Sequence, residues 1–201
     1  GSIGNDTFIM MHANDAMNGA TGTSDTLDIN YTAILGGISV DLSNATNQIS
    51  SMNGSSNSAV QVGFENVDLA GFSGFGATVT AAVGGSTISG TASTDSITGG
   101  AGNDIIDGNA GDDTIATGAG DDVIHFDATS DGNDTITDFT SGTDIMDFDG
   151  ILDGVTKVFE AEADDSVGTS ITTDANVIAV GGAVSIADAA TFIAADNDVN
   201  G

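Results

Sequence analysis

The composition of this chain of 201 residues excludes several classes of function. It carries 30 acidic residues against a single basic residue, Lys157, and its formal net charge is -29. Such a chain cannot neutralise phosphate groups, so nucleic acid is excluded as a partner, and anionic lipid is excluded unless a cation bridges the charges. The sequence has no apolar run long enough for a transmembrane segment, and it has no cysteine, so its stability does not depend on redox conditions.

Residues 1–75 are predicted to be a β-rich region. Apolar and polar residues alternate from Asp25 to Tyr31, from Ile38 to Leu42 and from Val60 to Phe72, which is typical of strands with one buried face. The spacing of these runs fits a β-sandwich or an irregular part of a solenoid, and the sequence does not choose between them.

Residues from Gly90 onward repeat with a period of nine: GTASTDSIT, GGAGNDIID, GNAGDDTIA and TGAGDDVIH. Glycine recurs at the first, second and fourth places, Asp at the sixth and Ile at the eighth. Counting back from Ile97 by nines reaches Ile88 and Val79, so the apolar ladder starts before the aspartates. A period this short suits one strand and one tight turn, which predicts a continuous parallel β-solenoid from about residue 76 to 126.

The repeated turn has the chemistry of a calcium site. Closely spaced glycines allow a tight turn whose carbonyl oxygens face inward, and each turn adds one carboxylate. Hard oxygen ligands without sulfur or nitrogen favour Ca²⁺ over Zn²⁺, and a flexible shell favours it over Mg²⁺. A disordered Gly/Asp-rich linker is the alternative, but a linker does not need an isoleucine every nine residues.

These repeats resemble the RTX family, whose nonapeptide is written GGxGxDxUx with U a large apolar residue. Gly99 to Asp107 matches every defined position. The resemblance implies a right-handed parallel β-roll with two nonapeptides per turn and Ca²⁺ held between turns. The residues implied as calcium ligands are Asp95, Gly99, Ala101, Gly102, Asp104, Gly108, Ala110, Gly111, Asp113, Gly118, Gly120, Asp122, Asp131 and Asp134.

The resemblance also implies which aspartates share an ion. It pairs Asp104 with Asp122 along one edge of the roll and Asp95 with Asp113 along the other, and Asp113 again with Asp131 or Asp134. The equivalent positions in the preceding turns are Ser86 and Ala77. We therefore expect calcium only in the later half of the solenoid.

The predicted organisation has three parts. Residues 1–75 form the β-rich region, residues 76–149 the solenoid with its calcium-binding repeats at 90–125 and a closing segment, and residues 150–201 a small C-terminal cap. In the cap, Val177 to Val180 reads as a strand, and Ser185 with Asp188 resembles a capping box that starts one short helix. The predicted fold class is an all-β parallel β-roll with flanking β-rich segments and this one helix.

No catalytic motif is present, so we expect no enzymatic activity. Two functions remain: a structural module of a secreted bacterial cell-surface protein such as an S-layer subunit or large adhesin, or the C-terminal secretion domain of an exported hydrolase or toxin. The resemblance implies type I secretion from a Gram-negative bacterium, with self-association or other surface components as partners. Gly1 to Ile9 fits the nonapeptide at four places, so we expect the chain to be a piece of a longer one, with a cloning scar as the alternative.

Overall fold

The computed structural model describes residues 4–12, 15–22, 24–33, 35–128, 130–140, 143–148, 158–159, 178–180 and 184–186. Within these ranges the chain is built from short strands, and none of the described residues is helical. In chain order the strands are β1 (Thr7–Met10), β2 (Met17–Asn18), β3 (Thr26–Ile29), β4 (Ile38–Asp41), β5 (Ile49–Met52), β6 (Ser55–Ser56), β7 (Gln61–Val62), β8 (Asn66–Asp68), β9 (Ala77–Thr80), β10 (Thr87–Ser89), β11 (Ser96–Thr98), β12 (Ile105–Asp107), β13 (Thr114–Ala116), β14 (Val123–His125), β15 (Thr135–Ile136), β16 (Ile145–Asp147), β17 (Val158–Phe159), β18 (Ile178–Val180) and β19 (Val184–Ile186).

Two long sheets contain almost all of these strands. Sheet one has the order β1-β3-β8-β10-β12-β14-β16-β17, and sheet two has the order β19-β18-β15-β13-β11-β9-β4-β5-β6. From β8 to β16 consecutive strands alternate between the two sheets and pair in parallel with the strand two places on. The chain therefore coils as a parallel β-solenoid with two strands per turn, which confirms the predicted fold class.

The solenoid continues into the residues before 76. Strand β3 pairs in parallel with β8, and β8 pairs in parallel with β10, so all three lie in the sheet that carries the nonapeptide strands. Strand β4 joins sheet two in the same way, through parallel pairing with β9. Of the two alternatives for this region, the irregular part of the solenoid is therefore correct. The division of the chain into three segments stays a prediction.

The core consists of two ladders of apolar side chains, one behind each sheet. Strand register stacks one residue per turn directly on the next. Each member is at most 2 % exposed, so burial contributes roughly 1.5–3 kcal/mol per side chain. The sheet-one ladder is Leu27, Val67, Ile88, Ile106, Ile124 and Met146, and the sheet-two ladder is Val40, Val79, Ile97, Ile115 and Ile136.

The prediction that a C-terminal helix starts with a capping box at Ser185 is wrong. Val184–Ile186 forms strand β19, which pairs antiparallel with β18, and β18 pairs in parallel with β15. The available sheet edge offers this segment hydrogen bonds, and its β-branched residues suit a strand. The predicted strand is present as Ile178–Val180, whereas the rest of the predicted helix lies outside the described residues.

Removing one rung of the ladder should destabilise the fold. Ile106 is fully buried, whereas its neighbour Ile105 is 42 % exposed on the other face of the same strand. We expect Ile106→Ala to lower the free energy of unfolding by about 2–5 kcal/mol in calcium, and Ile105→Ala to lower it by about 1 kcal/mol or less. Urea denaturation of both variants measures this difference. Equal losses would contradict the register described above.

Candidate metal centre

Each nonapeptide turn places its aspartate immediately before a strand, so parallel pairing stacks these side chains into rows. The first row precedes the strands of sheet one and contains Ser86, Asp104, Asp122 and Asp144. The second row lies at the start of the strands of sheet two: Ala77 is the first residue of β9, and Asp95, Asp113 and Asp134 directly precede β11, β13 and β15. The seven residues of these rows other than Ala77 are at most 5 % exposed. Six of them are aspartates, for which such burial is unusual.

In the first row each carboxylate bonds the backbone of the preceding turn. Oδ1 of Asp104 accepts a hydrogen bond from the N–H of Ser86 at 2.7 Å. Oδ1 of Asp122 accepts one from the N–H of Asp104 at 2.8 Å, and Oδ1 of Asp144 one from the N–H of Asp122 at 3.3 Å. The pairing predicted for Asp104 and Asp122 therefore corresponds to neighbours in this row.

The second row repeats the arrangement and shows whether Asp131 or Asp134 lies next to Asp113. Oδ1 of Asp113 accepts the N–H of Asp95 at 2.7 Å, and Oδ1 of Asp134 accepts the N–H of Asp113 at 2.9 Å. The neighbour of Asp113 in the row is therefore Asp134. Asp131 is also buried, but its carboxylate accepts the N–H of Ala128 within its own loop.

The second oxygen of several aspartates is where a cation fits. Oδ2 of Asp104, Asp113 and Asp122 is buried and accepts no hydrogen bond from any residue that the structure describes. A buried carboxylate oxygen without a partner is strongly unfavourable, because it has lost water and gained nothing in exchange. A bound cation supplies the missing interaction, so the residues present fit the calcium that the repeats imply.

Asp95 differs from the other three because its turn contains Thr91 in place of a glycine. Its Oδ2 accepts the N–H of Thr91 at 2.6 Å, and its Oδ1 accepts the Thr91 hydroxyl at 2.9 Å. Both oxygens therefore already have protein partners. Of the predicted carboxylate ligands in the repeats, Asp95 is the one with the least need of a cation.

At Gly99 and Gly108 the first place of the turn is a glycine that lies directly against the carboxylate. A Cβ on Gly99 would lie 2.7 Å from Oδ2 of Asp104 and would overlap the carbonyl oxygen of Thr117. A Cβ on Gly108 would similarly overlap Oδ2 of Asp113. Carbonyl and carboxylate oxygens thus meet at this point of the turn, which is the donor set that calcium prefers.

The remaining predicted ligands lie in the same turns. Backbones at the second and fourth places take positive φ at Gly102, Gly111, Gly118 and Gly120, and the asparagine in place of glycine at position 109 does so as well, at 60°. Asparagine tolerates this conformation better than other residues with a side chain, which explains the departure from glycine there. Ala101 bridges to Ala119 two repeats on, and Ala110 occupies the equivalent place in its own turn.

Burial raises the pKa values of the carboxylates in the two rows, and neighbouring carboxylates add to the rise. Loss of water raises the pKa of Asp104 to about 7, with the charge of Asp122 adding to the rise and the Ser86 N–H opposing it. Burial likewise raises the pKa of Asp113 to about 8 and that of Asp134 to about 7. The pKa of Asp122 is also raised, first by burial and then by Asp144. Without a cation, Asp113 is therefore mostly protonated at neutral pH, and Asp104 and Asp134 are about half protonated.

No cluster of three or more His, Cys, Asp or Glu side chains able to hold a metal occurs among the described residues. Side chains alone therefore do not complete a coordination shell in this part of the chain. Calcium accepts backbone carbonyl ligands readily, and the glycine turns provide them beside each carboxylate. The site is a mixed one, built from a few charged oxygens and many neutral ones.

The rows, the apolar ladders and the glycine turns define a calcium-binding β-solenoid. A family model agrees: residues 84–125, about a fifth of the chain, match the RTX calcium-binding nonapeptide repeat (4 copies). The segment is therefore an array of RTX nonapeptide repeats, which bind calcium. The match begins at Gly84, six residues before the repeats expected from the sequence. No curated protein sequence matches the chain.

Sequence reasoning did not assign a role to Asp144. This residue is 1 % exposed and ends the first row, where its Oδ2 accepts the N–H of Thr140 at 2.8 Å and the hydroxyl of Thr117 at 3.1 Å. Its spacing of 22 residues from Asp122 breaks the period of 18, so counting by nines does not find it.

In the described part of the chain, no helix is long and apolar enough to cross a membrane.

Calcium affinity should rise with pH between about 6 and 8.5. Because Asp104 and Asp134 titrate near 7 and Asp113 near 8 in the calcium-free fold, an ion must displace protons at low pH. We expect calorimetry to show roughly tenfold or greater weakening at pH 6, and proton release near pH 7. An affinity independent of pH across this range would contradict the assignment.

The calcium-free fold should show the opposite trend. A folded-state pKa raised above the unfolded value near 3.8 stabilises the fold at low pH, and that contribution disappears as pH rises through about 7 to 8. We therefore expect the melting temperature measured in chelator to be highest near pH 5.5 and to fall as pH rises, until the chain no longer folds in chelator at about pH 8.5. A melting temperature that rises with pH in chelator would show that these carboxylates are not held protonated.

Filling the space beside one carboxylate should remove its ion without changing any charge. A methyl group on Gly99 meets Asp104 and Thr117, whereas one on Gly84 meets nothing within 4 Å. We expect Gly99→Ala to weaken calcium binding by about tenfold or more and Gly84→Ala to leave it unchanged. Calorimetric titration of the two variants provides the comparison, and similar affinities would refute the role given to this turn.

Proposed function

We propose that this chain is a calcium-dependent structural module of a secreted bacterial cell-surface protein, of the S-layer or large adhesin kind, and that it is not an enzyme. The observation that carries the proposal is the set of buried, unpartnered oxygens on Asp104, Asp113 and Asp122. They make the repeats dependent on an external cation, and RTX repeats are typical of secreted proteins.

The charge of the chain supports folding outside the cell. Residues 95–149 contain 14 aspartates and no lysine or arginine, so negative charge is concentrated in the segment that contains the repeats. Sites with few charged ligands bind calcium weakly, with dissociation constants of about 10⁻⁴ to 10⁻³ M in extracellular modules. Such sites stay unfilled at cytosolic calcium and fill outside, where binding adds directly to the free energy of folding.

The extent of the solenoid supports a scaffold role. Sheet one contains seven parallel strands in series from β1 to β16, which at about 4.8 Å per strand spans roughly 30 Å. Parallel pairing runs unbroken from β3 through the strands with calcium repeats, so the chain carries more solenoid than the repeats alone require. This favours a surface scaffold over the secretion domain of an exported hydrolase or toxin, which remains the second candidate.

The aspartates are used in a way that suits ligands better than catalysts. Each carboxylate in the two rows bonds a backbone N–H of the neighbouring turn and is buried behind a glycine turn. That arrangement fixes the oxygen toward an ion between the turns. It does not present a carboxyl group to a substrate, which general acid or base catalysis would require.

Calcium should convert the chain to its β structure. At about pH 8.5, far-ultraviolet circular dichroism at about millimolar calcium should show β signal that chelator removes. The double variant Asp104→Asn with Asp122→Asn should need about tenfold or more calcium for the same transition. The control is Asp121→Asn with Asp127→Asn, which removes the same charge from two exposed positions and should behave like the parent chain. A spectrum insensitive to chelator would overturn the proposal.

The surface-scaffold role has a separate test. We expect calcium at about millimolar level to drive the purified chain into sheets or other ordered arrays visible by electron microscopy, and chelator to disperse them. A chain that folds with calcium but stays monomeric at high concentration would contradict self-assembly, and would favour the secretion-domain alternative.

A further inference from the structure

Asp25 lies far outside the recognised repeats but occupies a position in the first row. Strand register places Asp6, Asp25 and Glu65 immediately before β1, β3 and β8, in the same sheet as Asp104 and Asp122. The first row therefore continues toward the N-terminus as Asp6, Asp25 and Glu65. Ser86 is its one uncharged member.

The hydrogen bonds of Asp25 reproduce those of the calcium repeats. Its Oδ1 accepts the N–H of Asp6 at 2.8 Å, as Oδ1 of Asp122 accepts the N–H of Asp104. Its own N–H donates to Oε2 of Glu65 at 2.9 Å, so the next turn contributes a carboxylate in the same way. The geometry is that of a repeat, although the sequence is not.

The turn before Asp25 is a nonapeptide turn with one additional residue. Gly19 occupies the first place, because its N–H donates to the carbonyl oxygen of Val62, as the N–H of Gly99 does to that of Ala116. Ala20 has a φ of 75°, matching the positive φ at Gly100. Asp25 lies six residues after Gly19 instead of five, which hides the turn from a search by nines.

Two observations at this turn point to a ligand. Asp25 is fully buried, and its Oδ2 accepts no hydrogen bond from the described residues, as in Asp104, Asp113 and Asp122. Gly22 lies directly against this carboxylate, where a Cβ would overlap both oxygens, and a Cβ on Gly19 would lie 2.9 Å from Oδ2 and would overlap the carbonyl oxygen of Gly63. Carboxylate and carbonyl oxygens therefore meet here as they do beside Gly99.

No positive side chain in the described part of the chain compensates this carboxylate. The sequence has no arginine, and its one lysine, Lys157, lies outside the described residues. The two histidines lie beside Asp15 and Asp147. A buried charge of this kind needs either a partner or a coordinated ion, and oxygen donors select a hard divalent cation.

We propose that Asp25, with Glu65 and the turn carbonyl oxygens around Gly19 and Gly63, forms a further calcium site in the N-terminal part of the solenoid. This site rests on its own unpartnered oxygen and not on the recognised repeats. Calcium therefore holds turns together on both sides of the Ser86 position. The N-terminal strands and the repeats are stabilised by separate ions of the same kind.

Counting bound ions in the full chain tests this site. At saturating calcium, Asp25→Asn should lose about one ion per chain by equilibrium dialysis and elemental analysis. Asp41→Asn is the control, because Asp41 accepts its hydrogen bonds from Ser43 in a local turn and should lose none. Gly22→Ala should also lose one ion without any change of charge, and Gly84→Ala should keep all of them.

A second measurement guards against variants that fail to fold. In the parent chain at about pH 6, where the calcium-free chain keeps its fold, the amide resonances of Asp6 and Gly22 should shift between calcium and chelator, because Asp6 donates to the carboxylate that holds the ion. Unchanged ion counts in Asp25→Asn and Gly22→Ala, or unchanged Asp6 and Gly22 resonances in a chain that binds calcium elsewhere, would overturn the site. A parent chain that binds no calcium at all would overturn this site and the proposed function together.

Discussion

The fold depends on the aspartate of each repeat, whose two carboxylate oxygens have different roles. In each repeat one oxygen of the aspartate accepts the N–H of the preceding turn, and this bond helps to fix the stacking register. The other oxygen is left buried without a partner at Asp104, Asp113 and Asp122. Because the first oxygen is committed to the backbone, the second cannot turn toward water. The geometry that stacks the turns therefore also creates the need for a cation.

The stability of the solenoid follows from a balance between the apolar ladders and these carboxylates. Burial of one apolar side chain per strand favours stacking. Stacking also removes the carboxylates from water, which raises their pKa values, and brings their like charges together, which raises them further. Without calcium the conflict is relieved by protonation, and with calcium by coordination. Weakly bound ions can still control folding when this balance is close, because each occupied site stabilises the folded chain by RT ln(1 + c/Kd) at a free calcium concentration c, and several sites act together.

The repeats were predictable from sequence because each structural role recurs at a fixed spacing. Counting by nines found the apolar positions Val79, Ile88 and Ile97. The resemblance to the RTX repeats implied the pairing of Asp104 with Asp122, which lie next to each other in the first row. Asp25 was not found from the sequence for two reasons. Its turn has one additional residue, and its partner Glu65 lies 40 residues further along the chain, so that only strand pairing brings the two together. The strand at Val184–Ile186 was missed because a capping box reports local preference, whereas sheet two supplies a partner from elsewhere in the chain.

The most direct test of the central claim is an anomalous difference map from crystals grown in calcium. We expect anomalous density about 2.3–2.6 Å from Oδ2 of Asp104, Asp113 and Asp122, with backbone carbonyl oxygens completing each coordination shell. A folded solenoid with no anomalous density beside these oxygens, whose only contacts are hydrogen bonds to water or protein, would contradict calcium binding at these sites.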